Sequence, residues 1–175
     1  MENHAGLSLR TKAFATDLIG IMLFLGINTG LIALVNISTN IVQELFSNRI
    51  LAQVSVFLLV TLPVTLYYAV SEASSYQATY GKRMMRLKVV DRNGNQIGIL
   101  RSLARAFLKF IPWELSHTLI WEICFDTGLD PTLINVGFVV VYVLVGLNMV
   151  AIAMSKTKQS LYDLLTGTYV VRSEQ

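Results

Sequence analysis

Three ionisable residues lie in an otherwise largely apolar stretch at residues 106–125, and they are the first candidates for chemistry. Glu114, His117 and Glu122 are three and five positions apart, which places them broadly on one stripe if the stretch is helical. Ionisable groups inside an apolar membrane segment are costly and usually have a function. Because imidazole titrates near neutral pH, a carboxylate beside it can pass on a proton, and Glu114 with His117 is a candidate proton shuttle.

Two alternatives remain open for this pair. The spacing Glu114-x-x-His117 also occurs among the ligands of metal sites in helical bundles. Such sites need further carboxylates and a second motif, and the only other histidine is His4, so we predict no metal site. The second alternative is a neutral hydrogen-bonded pair with a structural role. Asn28 and Asn148 lie in other apolar segments, where they are candidates for polar contacts between helices or for the lining of a path.

The composition places these side chains in a membrane protein. Of the 175 residues, 54% are hydrophobic and only 14% are charged, and the mean hydropathy is +0.57. Soluble domains carry roughly 25% charged residues. The single cysteine excludes an internal disulfide framework, and the net charge of +3 is expected to meet anionic lipids and not nucleic acid. We therefore expect one membrane domain over residues 1–175.

Four segments are candidates for membrane crossings. Residues 106–125 are ambiguous because of their charges, but the distribution of cations favours a crossing there. With four crossings and the N-terminus inside, Arg49 is the only one of the 14 lysines and arginines that lies outside. We predict an all-α bundle of four transmembrane helices in a bacterial inner membrane, with both termini cytoplasmic and a third helix that is either continuous or broken or re-entrant at Pro112. The other three segments, each near the roughly 20 residues that a crossing needs, are 18–35, 50–70 and 134–154.

The two halves of the chain contain similar segments. Gln77-x-x-Tyr80 and Gln159-x-x-Tyr162 each follow a pair of crossings, and each leads into a Val-Val pair. We interpret residues 1–91 and 92–175 as two copies of one two-helix unit, related by an axis along the membrane normal. The alternative is a chance similarity between apolar sequences of low diversity.

A short β-structure is predicted on the cytoplasmic side. Asn93-Gly94 separates two extended segments, residues 87–91 and 96–99, and Asn-Gly is a strong signal for a hairpin. Residues 168–171 resemble the first of these segments and could pair with it as a second short strand.

Three motifs along the chain resemble those of the RDD family of bacterial membrane proteins, which is named for an arginine and two aspartates. The resemblance covers essentially the whole chain, and the order of the motifs makes it specific. Tyr162 is a departure, because the family commonly has histidine before the last aspartate. The resemblance implies a membrane protein for which transport of ions or small solutes is the usual suggestion. The motifs are Arg10-x-x-Ala13-x-x-x-Asp17, then Thr79-Tyr80-Gly81-Lys82 with Val89-Val90-Asp91 and Asn93-Gly94, and finally Asp163 with Gly167-Thr168 and Val170-Val171.

The same resemblance singles out Arg10, Asp17 and Asp163 as an ion cluster. In the four-crossing topology all three lie on the cytoplasmic side. We expect Arg10 to hold both carboxylates at the inner mouth of the bundle, where one of them takes up a proton or a cation. The alternative is that Asp17 caps the N-terminus of the first helix and Arg10 pairs with lipid phosphate or with Asp163.

A transporter or exchanger of protons, sodium or small solutes is the function that these features favour. Four helices are too few to enclose a pathway, so we expect a homo-oligomer. The alternative is a non-transporting scaffold that binds another membrane protein through its basic cytoplasmic face. The sequence contains no recognisable nucleophile set or phosphate loop, so we expect no enzyme and no cofactor. Four basic residues are expected to bind anionic lipid headgroups: Lys82, Arg83, Arg86 and Lys88.

Overall fold

Four helical rods dominate the structure, whose computed structural model describes residues 4–173. Three of the rods are long and apolar enough to cross a membrane: Leu7–Thr39, Arg49–Ala73 and Pro131–Met154. The remaining rod, Ile99–Cys124, has a comparable length but carries several charges. The second rod turns π-helical between its two α-helical parts. In chain order, the elements are α1 (Leu7–Thr39), α2 (Ile41–Leu45), α3 (Arg49–Val56), the π-helical turn Phe57–Thr61, α4 (Leu62–Ala73), α5 (Tyr80–Met84), β1 (Leu87–Val90), α6 (Ile99–Cys124), α7 (Pro131–Met154), α8 (Leu161–Thr166) and β2 (Tyr169–Arg172).

Two ion pairs fix the relative direction of the second rod and α6. Glu72 in the last turns of α4 contacts Arg105 near the start of α6. Arg49, the first residue of α3, contacts Glu122 near the end of α6. The two rods therefore run antiparallel. We call the end of the bundle that holds Glu72 and the sheet the terminal end, and the end that holds Arg49 the far end.

A small platform covers the terminal end of the rods. It consists of α5, α8 and a two-stranded antiparallel sheet in which Val89 of β1 lies opposite Val170 of β2. Both valines are fully buried, together with Ala13 of α1 and Ile97 before α6. The platform therefore joins the first half of the chain to the second through an apolar core.

The hairpin predicted across Asn93-Gly94 is wrong in its pairing. The turn itself forms, because Asp91 accepts hydrogen bonds from the backbone of Asn93 and Asn95. After the turn, however, a single bridge joins Val90 to Gln96, and the chain enters α6. β1 pairs instead with β2, whose buried valines complete the apolar core. The prediction that a strand near residues 168–171 pairs with the first strand is confirmed.

The third predicted segment is one uninterrupted helix. α6 continues through Pro112 for 26 residues, so the alternative in which this segment breaks there is wrong, and no turn is present for a re-entrant path. Proline removes one backbone donor from a helix, but neighbouring helices and hydroxyl side chains can compensate in an apolar bundle. One turn further on, Ser116 donates to the Pro112 carbonyl at 2.8 Å.

Candidate functional site

Five charged side chains form a connected group at the terminal end, which we call the terminal cluster: Arg10, Glu72, Lys82, Arg105 and Asp163. Arg105 lies at its centre, where Nε donates to Asp163 Oδ1 at 2.9 Å and Nη1 donates to Glu72. Lys82 donates to the other oxygen of Glu72. Arg10 donates to Asp163 Oδ2 at 2.5 Å. The predicted contact between Arg10 and Asp163 is therefore present.

Local structure holds Asp163 in place within this cluster. Ser160 and Asp163 form a capping box at the start of α8, in which each side chain accepts from the other residue's backbone N–H. Thr168 donates a further hydrogen bond to the carboxylate at 3.2 Å. The Asp163 and Glu72 side chains are 0% exposed, and the Arg105 side chain is 2% exposed. Such buried charges are tolerated because each is paired.

Burial and neighbouring charges shift the pKa values of Asp163 on α8 and Lys82 on α5, the two cluster members in the platform helices. Burial alone would raise the pKa of Asp163, but the guanidinium groups of Arg105 and Arg10 hold it well below its ordinary value. Burial lowers the pKa of Lys82, and the attraction of Glu72 opposes that shift. Asp163 therefore remains a carboxylate anion at neutral pH and is a poor site for proton uptake.

Asp17 lies outside the terminal cluster, so the prediction that Arg10 holds both aspartates is wrong for Asp17. Within residues 4–173 its carboxylate makes no ion pair. It accepts hydrogen bonds from Thr79 Oγ1 at 2.6 Å, the Gly81 amide at 2.7 Å and Tyr67 Oη at 2.9 Å. The alternative that Asp17 caps the first helix is also wrong, because α1 begins ten residues earlier at Leu7. Asp17 lies within α1, and its hydrogen bonds hold the start of α5 against that helix.

The contact between α1 and α5 depends on the absence of a side chain at Gly81. A Cβ atom there would lie 2.0 Å from the Ala13 carbonyl oxygen and 2.9 Å from the Asp17 amide nitrogen. Both neighbours are backbone atoms of a helix and cannot move aside. Glycine therefore lets the Gly81 amide approach the Asp17 carboxylate.

The prediction of lipid binding is wrong for Lys82, one of the four cations that it names. Lys82 is 8% exposed and is a member of the terminal cluster, because the turn of α5 directs it at Glu72. Arg83 and Arg86 are exposed, and the Arg83 guanidinium stacks on the Tyr76 ring at 3.8 Å. Lys88 is half-buried in β1. For these last three residues, lipid contact stays a prediction.

Glu114 and His117, which we call the central pair, lie along α6 between the two ends of the bundle. Glu114 follows Arg105 by nine residues, or about 13 Å of helix. It accepts a hydrogen bond from Thr61, the last residue of the π-helical turn. His117 Nδ1 lies 3.6 Å from Glu114 Oε1 and is buried without a hydrogen-bond partner among the described residues. One ring nitrogen of the pair is thus left without a hydrogen-bond partner among the described residues.

Two clefts meet at Glu114. The first, of about 300 Å³, extends toward the far end and is lined by Arg49 and Gln53. The second, of about 400 Å³, extends toward the terminal end and is lined mainly by apolar side chains such as Leu103 and Phe107, with Thr65 among them. The Glu114 side chain contributes to both walls and is 25% exposed. Glu114 therefore lies at the boundary between the two clefts.

The other predicted intramembrane polar residues occupy different places. Glu122 does not join the central pair, because it binds Arg49 and Thr127 at the far end. Asn28 donates to the Leu59 carbonyl of the π-helical turn at 2.9 Å. Asn148 accepts from the Leu161 amide at 3.1 Å and so connects α7 to α8. Within residues 4–173, no group of three or more His, Cys, Asp and Glu residues is arranged to hold a metal ion.

The sequence did not lead us to predict two members of the terminal cluster. Glu72 and Arg105 are charges near the ends of apolar segments, where such residues ordinarily face the lipid–water interface. One signal was available: Glu72 is the only acid between residues 50 and 73. A buried acid there calls for a buried cation from another helix.

Comparisons with known proteins give one match. The sequence model described as RDD family matches residues 4–167, which is nearly the whole chain. No curated protein and no solved structure gives a significant match.

Proposed function

This chain belongs to the RDD family, and from that premise and the geometry above we propose that it is a membrane transporter that exchanges protons for small cations such as sodium, with Glu114 as the proton carrier. The proposal does not involve an enzymatic activity or a cofactor. Its membrane character follows from the family and from the apolar rods α1, α3 with α4, and α7.

The position of Glu114 between two clefts carries this proposal. A transporter must expose its binding group to one side of the membrane and then to the other, and substrate sites near the bilayer midplane suit that requirement. Glu114 lies about 13 Å from Arg105 and about 12 Å from Glu122 along α6, which places it midway between the ends. The π-helical turn that supplies Thr61 also supports the proposal, since such turns are frequent at functional sites.

The proposal includes four crossings with both termini in the cytoplasm of a bacterial cell and the terminal end at the inner surface. It is supported by the length of α6 and by ion pairs at both of its ends. It is also supported by the bias of cations, since Arg49 is the only lysine or arginine of residues 4–173 that lies at the far end.

A relationship between the two halves is part of the same proposal. β1 and β2 pair antiparallel, and Val89 lies opposite Val170, its counterpart in the second half, as a twofold axis between two copies of one unit requires. In each half, a glutamine donates to a carbonyl of the platform: Gln77 to Val89, and Gln159 to Thr168. The strand pairing supports a repeat of residues 1–91 and 92–175, whereas the two glutamine contacts are not equivalent, since Gln77 reaches 12 residues ahead and Gln159 reaches 9.

Flux measurements in proteoliposomes test the role of Glu114. A pH gradient is imposed, sodium is added, and the interior pH is followed with a fluorescent dye. We expect wild type to dissipate the gradient and Glu114→Gln to slow it at least tenfold. Glu44→Gln, which removes an exposed acid of α2 outside the clefts, is the matched control and should behave as wild type. A Glu114→Gln rate within twofold of wild type would contradict the proposal.

A scaffold that binds another membrane protein is the second candidate, and the terminal cluster favours it. Its carboxylates are all paired, so this end of the molecule is built to be rigid. Exposed Arg83 and Arg86 would then form the docking face. Co-purification of a partner that is lost with Arg83→Gln and Arg86→Gln together, but kept with Glu114→Gln, would favour this function. Crosslinking in membranes tests the homo-oligomer that a four-helix transporter would need.

A further inference from the structure

Lys109 of α6 makes no ion pair with a carboxylate of residues 4–173, although Glu72 and Asp17 lie near enough to attract its charge. Its ammonium lies 3.5 Å from the centre of the Tyr68 ring, 5.2 Å from that of Phe14 and 5.5 Å from that of Phe110. Within residues 4–173, no oxygen accepts a hydrogen bond from it. Aromatic faces attract a cation, but they leave all three ammonium donors unsatisfied. An ammonium group in apolar surroundings calls for an acceptor from outside the chain.

A cleft of about 560 Å³ opens beside this ammonium, between α1, α6, α7 and α8. Arg10, Lys109 and Asn148 contribute polar groups to its lining. Most of the remaining wall is apolar, and it includes Val141 and Val145 on α7. The cleft is thus amphipathic, with positive charge beside a hydrophobic wall. It does not include Glu114, so its role is independent of the proposed transport path.

We propose that this cleft binds one acidic phospholipid, whose phosphate contacts Lys109 and whose acyl chain lies along α7. Charge complementarity selects an anion, since Lys109 lines the cleft without an ion pair among residues 4–173 and no carboxylate lines it, while the charge of Arg10 is already paired with Asp163. The apolar wall selects an anion that carries a hydrocarbon chain over free phosphate. Lys109 follows Arg105 by four residues, or about 6 Å of helix, so the site lies just inside the plane of the terminal cluster.

Native mass spectrometry of the detergent-purified protein tests the proposal. The probes are phosphatidylglycerol, phosphatidylcholine and inorganic phosphate. We expect wild type to bind one phosphatidylglycerol at least tenfold more tightly than phosphatidylcholine, and to bind inorganic phosphate weakly. Lys109→Gln should lose that preference and Lys109→Arg should keep it. Arg101→Gln, which changes an exposed cation on the same helix, should bind as wild type does.

Three results would overturn the proposal: an unchanged preference in Lys109→Gln, equal binding of the two lipids, or binding of inorganic phosphate as tight as that of phosphatidylglycerol. A second measurement covers the case in which Lys109→Gln does not fold. Trp113 lines the cleft, and Trp121→Phe leaves it as the only tryptophan. Brominated phosphatidylglycerol at low mole fraction should quench its fluorescence more than brominated phosphatidylcholine does, and equal quenching contradicts the site.

Discussion

The terminal cluster and the central pair are both polar groups inside an apolar bundle, but they are satisfied to different degrees. In the terminal cluster, each of the two carboxylates contacts two cations. In the central pair, Glu114 has a single hydroxyl donor, and His117 Nδ1 has no hydrogen-bond partner among the described residues. The difference indicates that the first group stabilises the fold, whereas the second is the less completely hydrogen-bonded of the two.

The two groups also differ in the elements that they connect. The terminal cluster joins α1, α4, α5, α6 and α8, which come from both halves of the chain. Within residues 4–173, the side chains of the central pair make one hydrogen bond to another element, from Thr61 of the second rod. Loss of a charge from the terminal cluster should therefore disturb the packing of the whole platform, whereas a change in the central pair should leave it intact.

The largest loss of stability is expected from Arg105→Met. It removes the cation that Glu72 and Asp163 share and leaves both carboxylates under-compensated. Breaking a buried pair in this way costs about 3–5 kcal/mol. Thermal and denaturant unfolding in detergent measure the loss, with Arg101→Gln on the exposed face of α6 as control. A change of less than about 0.5 kcal/mol, as for ordinary surface substitutions, would remove the distinction between the two groups.

Gly81→Ala should have the next largest effect. Its Cβ meets the backbone of α1, so α5 must move away and the Asp17 hydrogen bond must lengthen. Overpacking of this kind costs about 1–3 kcal/mol. Gly20→Ala is the matched control, because nothing lies within 4 Å of a Cβ there. Equal unfolding temperatures for the two variants would show that the approach of α5 to α1 is not close in solution.

A smaller loss of stability is expected from Thr61→Val, which removes the donor to Glu114 with little change in shape. Polar contacts between membrane helices average about 0.6 kcal/mol. Proton flux should nevertheless change several-fold, because the carboxylate loses its only hydroxyl partner. The control is Ser116→Ala on α6, the helix of Glu114, because the Ser116 hydroxyl donates to the Pro112 carbonyl and not to Glu114. Unchanged flux in Thr61→Val would argue against a role for the π-helical turn.

The smallest effect is expected from pH between 5 and 8. The pKa of Asp163 is held below its ordinary value of 3.8 in the folded protein. Its stabilising contribution is therefore complete above that value and is lost only as the pH falls below it. The difference in unfolding free energy between wild type and Asp163→Asn should be constant from pH 8 to 5 and should shrink below about pH 4. A difference that varies between pH 5 and 8 would mean that Asp163 titrates there.

Hydropathy and charge bias predicted the rods, and the contact between Arg10 and Asp163 followed from the family motifs. The place of Asp17 and Lys82 could not be predicted, because it depends on how α5 docks against α1. β1 pairs with β2 and not with the nearby segment that begins at Gln96, and this choice likewise depends on contacts between the two halves of the chain. Hydropathy reports the environment along one segment, whereas these features require partners that are distant in the sequence.

Glu114→Gln and Arg105→Met, compared in one experiment for both proton flux and unfolding free energy, test the central claim most directly. Glu114→Gln should lose at least tenfold in flux and less than about 1.7 kcal/mol in stability, the upper range for polar contacts between membrane helices. Arg105→Met should lose about 3–5 kcal/mol, while the protein that stays folded still transports. The opposite pattern, with full flux in Glu114→Gln or a loss of stability equal to that of Arg105→Met, would contradict the account.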